Sequence, residues 1–370
     1  MNIQMVDLHG QYVKIKAEID SAMQNVLDSS YFINGEQVSI FKANLEKYLE
    51  VKHVIPCANG TDALQVALMA LNLPANSEIL VPCFTYVATA EVIALLGHQP
   101  ILVDVDPNTF NIDLDDLKQK LTPNSKAIVP VHLFGQCADM EPLMKIAKEH
   151  SLFVIEDSAQ AIGAKYTSGN GSTSSAGCIG DFGTTSFFPS KNLGCYGDGG
   201  AIFTNDDDLA QKAQMICNHG QNKKYYHQVI GVNSRLDTLQ ASILNVKLLH
   251  LDGYIKSRQQ VASIYDDHLG KNSRIQIPQR SKNTTHVFHQ YTLLLKGLDR
   301  DDLQRHMKAC GIPTMIYYPM PLNKQVAFWQ EGVYPVTNKL CENVLSLPIH
   351  TEMSNAEATY IAEKLIEYIK

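Results

Sequence analysis

The stretch HVIPCANGTDALQVALMALNLPANSEILVPCF, residues 53–84, decides the fold. A short apolar run, VIPCA, gives way at Gly60-Thr61 to TDALQVALMALNL, whose apolar residues recur at helical spacing, and EILVPCF then returns to an apolar, β-branched run. Strand, helix, strand is the reading. The same alternation continues through TAEVIALLG, PILVDVD, KAIVPVHLF, MEPLMKIAKEH and LFVIED to about residue 160. Apolar runs of four to six residues separated by amphipathic helices predict a mainly parallel sheet with helices on both faces. In such a sheet the function-bearing residues lie at the carboxyl ends of the strands.

Upstream, residues 16–50 carry apolar and charged positions at helical spacing, interrupted by SSYFINGEQ (29–37), where Asn34-Gly35 signals a turn. The pattern predicts helix, loop, helix. Downstream, TSGNGSTSSAG (167–177) reads as a mobile surface hairpin or loop, and GGAIFT reads as a strand. A long helix is expected from about Leu236 to Leu251, with apolar residues at 236, 239, 243, 244, 248 and 251. Beyond it VFHQYTLLL reads as a strand, DRDDLQRHMKACG as a helix ending at Gly311, and NAEATYIAEKLIEYI as a terminal helix. A chain of 370 residues can hold two cores, so we expect a large domain over 1–250 and a smaller α/β domain over 251–370.

Hydrophobic content of 45% and charged content of 19% are those of a globular enzyme. The sequence contains no apolar run near the ~20 residues of a bilayer span. A formal charge of −7 argues against nonspecific nucleic-acid binding. The eight cysteines include no C-x-x-C pair, so neither a zinc site nor a disulfide framework is indicated. A cytoplasmic protein with reduced thiols, no metal and no membrane contact is the expectation.

Three segments carry chemistry. In CANGTDALQVAL (57–68) a strand ends and a helix begins at Gly60-Thr61, and a helix start offers free N–H donors to a phosphate. Ordinary capping by Asn59 or Thr61 is the plainer alternative. In VIEDSAQAIGAKY (154–166), Asp157 and Gln160 follow an apolar strand. A buried acid there needs a cation, which a protonated pyridine nitrogen can supply, unless it caps the next helix. In SFFPSKNLGCYGDGG (186–200), Lys191 sits among aromatic residues and glycines, the setting of a desolvated amine able to attack an aldehyde. Ser186 stands ready to share the phosphate. A surface lysine in a glycine-rich hairpin is the bland reading. The order of the three, with the lysine 34 residues after the acid, points to a pyridoxal 5'-phosphate enzyme of the aspartate-aminotransferase-like fold.

With GTDAL (60–64), FTYVATA (84–90), LVDVD (102–106), VHLFGQ (131–136), IEDSAQAIGA (155–164), SFFPSKNLGCYGDGGAIFT (186–204) and GVNSRLDTLQA (231–241), the chain resembles the DegT/StrS-type sugar-nucleotide aminotransferases over nearly its whole length. The resemblance implies Lys191 as the Schiff-base lysine and Asp157 as the partner of the pyridinium nitrogen. It implies Gln160 at the ring hydroxyl, Tyr86 stacked on the ring, and Gly60, Thr61 and Ser186 at the phosphate. Asn233 would reach the phosphate of a neighbouring subunit and Arg235 would lie in the substrate cleft, so a homodimer with shared sites is implied. Locally, Ser234 and Asp237 can instead form a capping box for the following helix.

The family also contains dehydratases with histidine in place of the lysine, so Lys191 favours amino transfer, with L-glutamate as donor in a ping-pong reaction. The opening VDLHGQY, the lysine segment and HGQ (219–221) most resemble the branch that aminates C3 of UDP-linked 2-acetamido-3-oxo-glucuronate for surface polysaccharide. Two positions depart from that branch. Asn192 stands where proline is common after the lysine, and Tyr317-Tyr318-Pro319 stands where His-Tyr-Pro is expected. A tyrosine at 317 cannot give a sugar carboxylate the charge a histidine could, although Tyr317 and Tyr318 are both placed at the substrate. A nucleotide-linked 3-keto- or 4-keto-6-deoxyhexose therefore stays open. Two other readings remain beside these, a non-catalytic regulator with the same pocket and a pyridoxal enzyme acting on free amino acids, such as a decarboxylase or a desulfurase using Cys195.

Overall fold

The computed structural model describes residues 3–369, so the outermost ends of the two expected domains, 1–2 and 370, lie outside the described residues. Helices α1 (Leu8–Lys14), α2 (Lys16–Ser29) and α3 (Glu36–Leu49) come first. Ser30 leaves α2 in a left-handed conformation and Asn34 takes a φ of 52°, which turns the chain where Asn34-Gly35 predicts. Helix α3 buries Phe41, Leu45 and Leu49, each one turn from the last.

The sheet then builds from β1 (His53–Cys57), β2 (Glu78–Pro82), β3 (Gln99–Val103), β4 (Ser125–Ile128) and β5 (Phe153–Asp157). Helices α4 (Gly60–Leu71), α5 (Ala88–Leu95), α6 (Leu114–Gln119) and α7 (Met140–Glu149) connect these strands. The 167–177 segment is the turn of a hairpin, β6 (Lys165–Thr167) against β7 (Thr173–Ser175). Strands β8 (Phe182–Ser186) and β9 (Gly200–Thr204) complete a seven-stranded sheet of order β1-β9-β8-β5-β4-β2-β3. From β3 to β8 neighbours are parallel, whereas β9 runs antiparallel to both β8 and β1.

Both faces are covered, because successive strand residues alternate between two cores. Leu80 and Val154 pack with Phe41, Leu45 and Leu143 on one face; Ile79, Val81 and Ile155 pack with Leu64 and Leu68 of α4 on the other. The apolar pattern does not announce β8, whose sequence is FGTTS. Its threonines are buried, with Thr184 donating to the Glu156 carbonyl at 3.2 Å and Thr185 to the Ser158 carbonyl at 3.4 Å. Hydroxyls satisfied by the neighbouring strand take the place of an apolar run.

After β9 come α8 (Asp207–Cys217) and a small hairpin, β10 (Gln221–Lys223) with β11 (Tyr226–His227). Helix α9 (Thr238–Leu269) is far longer than its expected 236–251 span. Its Ala241, Leu244, Leu248, Leu251 and Ile255 join the first core, and Val261, Ala262, Tyr265 and Leu269 join a third. The capping box does not form. Asp237 caps α9 without a side-chain bond, and Ser234 Oγ instead accepts from the Ala58 amide at 3.1 Å.

The third core gathers β12 (Ile275–Gln276), β13 (Tyr291–Leu295), α10 (Arg300–Ala309), β14 (Val344–Leu347) and α12 (Asn355–Ile369), with α11 (Pro335–Asn343) beside it. Gly311, just past α10, takes a φ of 74°. Only the second half of VFHQYTLLL is a strand. Phe288 adopts a φ of 48°, and residues 287–290 bond sideways, with Val287 N donating to Gly135 O at 2.8 Å and Gln290 N to Phe134 O at 3.3 Å. That bend turns His289 and Gln290 toward the carboxyl edge of the main sheet.

Candidate active site

The carboxyl ends of β1, β5 and β8 open into a cleft of about 690 Å³. Nine of the residues singled out in the sequence line it together: Gly60, Thr61, Tyr86, Asp157, Gln160, Ser186, Lys191, Tyr317 and Tyr318. Asn233 and Arg235 do not line it; Asn233 is exposed and forms a β-bridge with Asn218. A wider surface cleft of about 880 Å³ between residues 106–118, 137–139 and 279–284 holds none of the singled-out residues.

At one end of the cleft α4 begins directly against β8. A Cβ on Gly60 would lie 2.7 Å from the Ser186 Cβ, so only glycine allows this approach. Asn59 caps the helix by accepting from the Asp62 amide at 2.8 Å, which leaves the Gly60 and Thr61 amides without a protein acceptor among the described residues. Capping and an open phosphate seat therefore coexist, since the cap uses a later N–H.

At the other end Asp157 closes β5. No helix follows it, and its carboxylate is held by Thr89 Oγ1 at 2.9 Å and the Ala159 amide at 3.2 Å. Both donors are neutral, and Asp157 is 6% exposed with no ion pair among the described residues. Gln160 Oε1 accepts from the Phe134 amide at 2.8 Å while its Nε2 donates to the Tyr318 hydroxyl at 3.2 Å. The amide is thereby oriented with its NH₂ toward the cleft. Tyr86 is 59% exposed at the mouth, its ring centroid 6.4 Å from that of Tyr318.

Lys191 follows β8 in a turn closed by its own amide, which donates to Phe188 O at 2.8 Å. Burial pushes its ammonium down to about 8, against the opposing pull of Asp157. Near neutrality more of the amine is uncharged than in an ordinary lysine, which suits a nucleophile or a proton acceptor. Beside it, His289 lines the cleft and is held well below the usual histidine range by burial first, then by the charges of Lys191 and Arg258. Cys195 is no rival nucleophile. Its thiol is buried, donates to Phe187 O and Gly197 O at 3.1 Å each, and is pushed up to about 11 by burial.

Thr85, Thr89, His289 and Gln290 belong to the site or its supports and were not singled out in the sequence. Thr89 stands three residues beyond Tyr86 in FTYVATA, one helical turn away, which is the only signal for it. His289 and Gln290 were hidden inside a stretch that reads as strand.

These walls suit pyridoxal phosphate. The open amides at the start of α4 and Ser186 can seat its phosphate, the cation-free carboxylate of Asp157 can meet a pyridinium N–H, and Lys191 can take the aldehyde. Two buried polar atoms of cleft-lining residues, Thr85 Oγ1 and His289 Nδ1, have no partner among the described residues, as befits a polar pocket shaped for a ligand.

The family model of the DegT/DnrJ/EryC1/StrS aminotransferase family matches residues 13–366. The chain is 46% identical to the UDP-2-acetamido-2-deoxy-3-oxo-D-glucuronate aminotransferase of Pseudomonas aeruginosa, with 98% of this chain and 99% of the relative covered. It is 45% identical to a protein of Geobacillus stearothermophilus named pleiotropic regulatory protein, with 100% and 99% covered. Among solved structures, DesV from S. venezuelae in complex with a ketimine intermediate superposes with a TM-score of 0.95 at 34% identity, covering 100% of this chain and 99% of that one.

Proposed function

Since the chain belongs to the DegT/DnrJ/EryC1/StrS aminotransferase family, whose enzymes use pyridoxal 5'-phosphate, we propose that it moves an amino group from L-glutamate to C3 of UDP-2-acetamido-3-oxo-glucuronate. The observation that carries this reading is the meeting of Lys191, Asp157 and the open amides of Gly60 and Thr61 in one cleft. When bound, the cofactor supplies an aldehyde that captures the amino group and an electron-withdrawing ring that acidifies the carbon bearing it. Lys191 Nζ takes the α-proton of glutamate and returns a proton on the other side of the transfer. Asp157, fixed by Thr89 and the Ala159 amide, keeps the ring nitrogen protonated. Gln160 orients the ring hydroxyl, Tyr86 covers the ring face, and Ser186 completes the phosphate seat.

The uronate is supported by the similarity to the Pseudomonas aeruginosa enzyme. A second reading, a neutral 3-keto- or 4-keto-6-deoxyhexose on a nucleotide, is favoured by the cleft residues Gln290, Tyr317 and Tyr318, which offer no positive charge. A regulator that keeps the pocket without the reaction is disfavoured by an intact lysine and acid.

The surface around Asn233 fits a homodimer in which Asn233 reaches the partner's phosphate and Arg235 the partner's substrate. Tyr225, Tyr226 and Ile230 nearby are exposed, as an uncovered interface would be. The same reading places the chain in the cytoplasm, in surface polysaccharide synthesis; among the described residues no helix is long and apolar enough to cross a membrane. It also divides the chain into a large domain over 1–250 and a small one over 251–370, with α9 joining them.

The test is to load the protein with cofactor, convert it with glutamate, and follow which of a panel of nucleotide keto-sugars restores the starting visible spectrum. Recovery with the 3-oxo-glucuronate is expected. Recovery only with a deoxyhexose would replace the substrate, and no change with glutamate would overturn amino transfer.

A further inference from the structure

His289 is a buried imidazole placed with unusual care. It is 7% exposed, shares the cleft wall with Lys191 and Asp157, and its Nδ1 is buried without a partner. Its main chain is pinned from three sides. Arg258 Nη1 donates to the carbonyls of Phe288 at 3.1 Å and His289 at 3.4 Å. From the 133–135 turn, Gly135 O accepts from Val287 N at 2.8 Å and Phe134 O from Gln290 N at 3.3 Å. Gly135 has a φ of 111°, and a Cβ there would lie 2.9 Å from His289 N. Finally Asn192, the residue after the lysine, donates through Nδ2 to Val287 O at 3.0 Å, so the lysine loop and the histidine loop are tied to each other.

Such bracing does not serve packing alone, since an aliphatic side chain would fill the wall without leaving a buried nitrogen unpaired. The charges that act on the ring are those of Lys191, which lines the same cleft, and Arg258, whose Nη1 bonds the His289 carbonyl; Asp157 and the neutral Gln290 and Tyr317 also line the cleft. Between two cations the imidazole stays neutral and presents one nitrogen as an acceptor. Among the donors that line the same cleft, the one that changes partner during the reaction is the lysine amine.

Building on the aminotransferase reading above, we propose that His289 is a positioning residue that receives the Lys191 ammonium, Nζ–H donating to Nδ1, and holds it over the carbon that loses and regains a proton. The proton taken from the glutamate α-carbon resides on Lys191 Nζ and is passed on from there. His289 neither gains nor loses a proton; its own N–H stays on Nε2. Holding the amine in place shortens the search of a long, flexible side chain for the productive geometry.

The test compares His289→Leu with His289→Asn in the cofactor-loaded protein, following the glutamate half-reaction by stopped-flow with α-protonated and α-deuterated glutamate, and measuring cofactor affinity separately. In H289L the half-reaction is expected to slow roughly 10²-fold, with a larger deuterium effect and cofactor affinity within about twofold of the starting protein. In H289N, whose amide oxygen offers an acceptor near the place of Nδ1, most of the rate returns. An H289L protein with unchanged rate and isotope effect would overturn the role, as would equal slowing of both variants or a loss that tracks cofactor affinity. A starting protein inert toward glutamate would instead overturn the aminotransferase reading, and the role of His289 with it.

Discussion

The lysine segment, 186–200, and the segment leading to Asn233, 219–235, stand in opposite relation to the fold. Phe187, Leu193 and Cys195 are fully buried, the turn is pinned by its own backbone bonds, and Lys191 and Ser186 face the cleft. Tyr225 is 79% exposed, Ile230 is 86% exposed, and Asn233 is exposed and does not line the cleft of its own chain. The contrast teaches that one segment is fixed into the cleft by the core beneath it, while the other is left on the surface, where the proposed homodimer would use it. Ser234 ties the second segment to the end of β1, through its bond to the Ala58 amide just before the start of α4.

The largest effect expected is from Lys191→Ala. Turnover should fall roughly 10⁴-fold or more, while the pyridoxamine form of the cofactor still binds, because the seat around it is untouched. Steady-state rates together with cofactor titration check both halves, and normal transamination would break the assignment of chemistry to this wall. Asp157→Asn should slow both half-reactions by roughly 10²-fold, since a neutral amide cannot keep the ring nitrogen protonated. Single-turnover kinetics in each direction measure it; a loss confined to one direction would contradict that role.

A sharper probe of the contrast mixes two inactive proteins. If Asn233 serves a partner, a mixed dimer of Lys191→Ala and Asn233→Ala subunits contains one intact site, and about a quarter of the starting activity should return. No recovery on mixing, with both variants folded and dimeric, would confine the whole site to one chain.

The mildest effect concerns pH. The Lys191 amine, lowered to about 8 by burial, gains its neutral form as pH rises through that value. Cofactor capture by the apo protein should therefore quicken several-fold between pH 7 and 9 and level off above, rather than rise toward the ordinary lysine value. A midpoint near 10 in rapid-mixing measurements would show that the lysine is not desolvated.

Much of this was legible in the order of residues. Asp157 and Gly60-Thr61 stand at the ends of elements whose periodicity is strong, so the rule that function gathers at strand ends brought them to one edge, whereas Lys191 was marked by its own aromatic and glycine-rich neighbours. The strand β8 was not legible, because its buried threonines trade apolar signal for hydroxyl bonds to β5 and to Ser158 just after it. The capping box was misread for a related reason. Ser234 found a partner 176 residues away, and no local pattern encodes that choice.

By itself the sequence determined the α/β alternation and the candidate residues Lys191, Asp157 and Gly60-Thr61, since each depends on spacing within a short segment. Tertiary structure alone decided how Asp157 is held by Thr89, 68 residues away, and how His289 is tied to the lysine loop through Asn192 and Val287, 95 residues apart. Those pairings arise from the sheet and α9 bringing distant loops together. A hydrogen bond across such a distance leaves no period in the chain to be read.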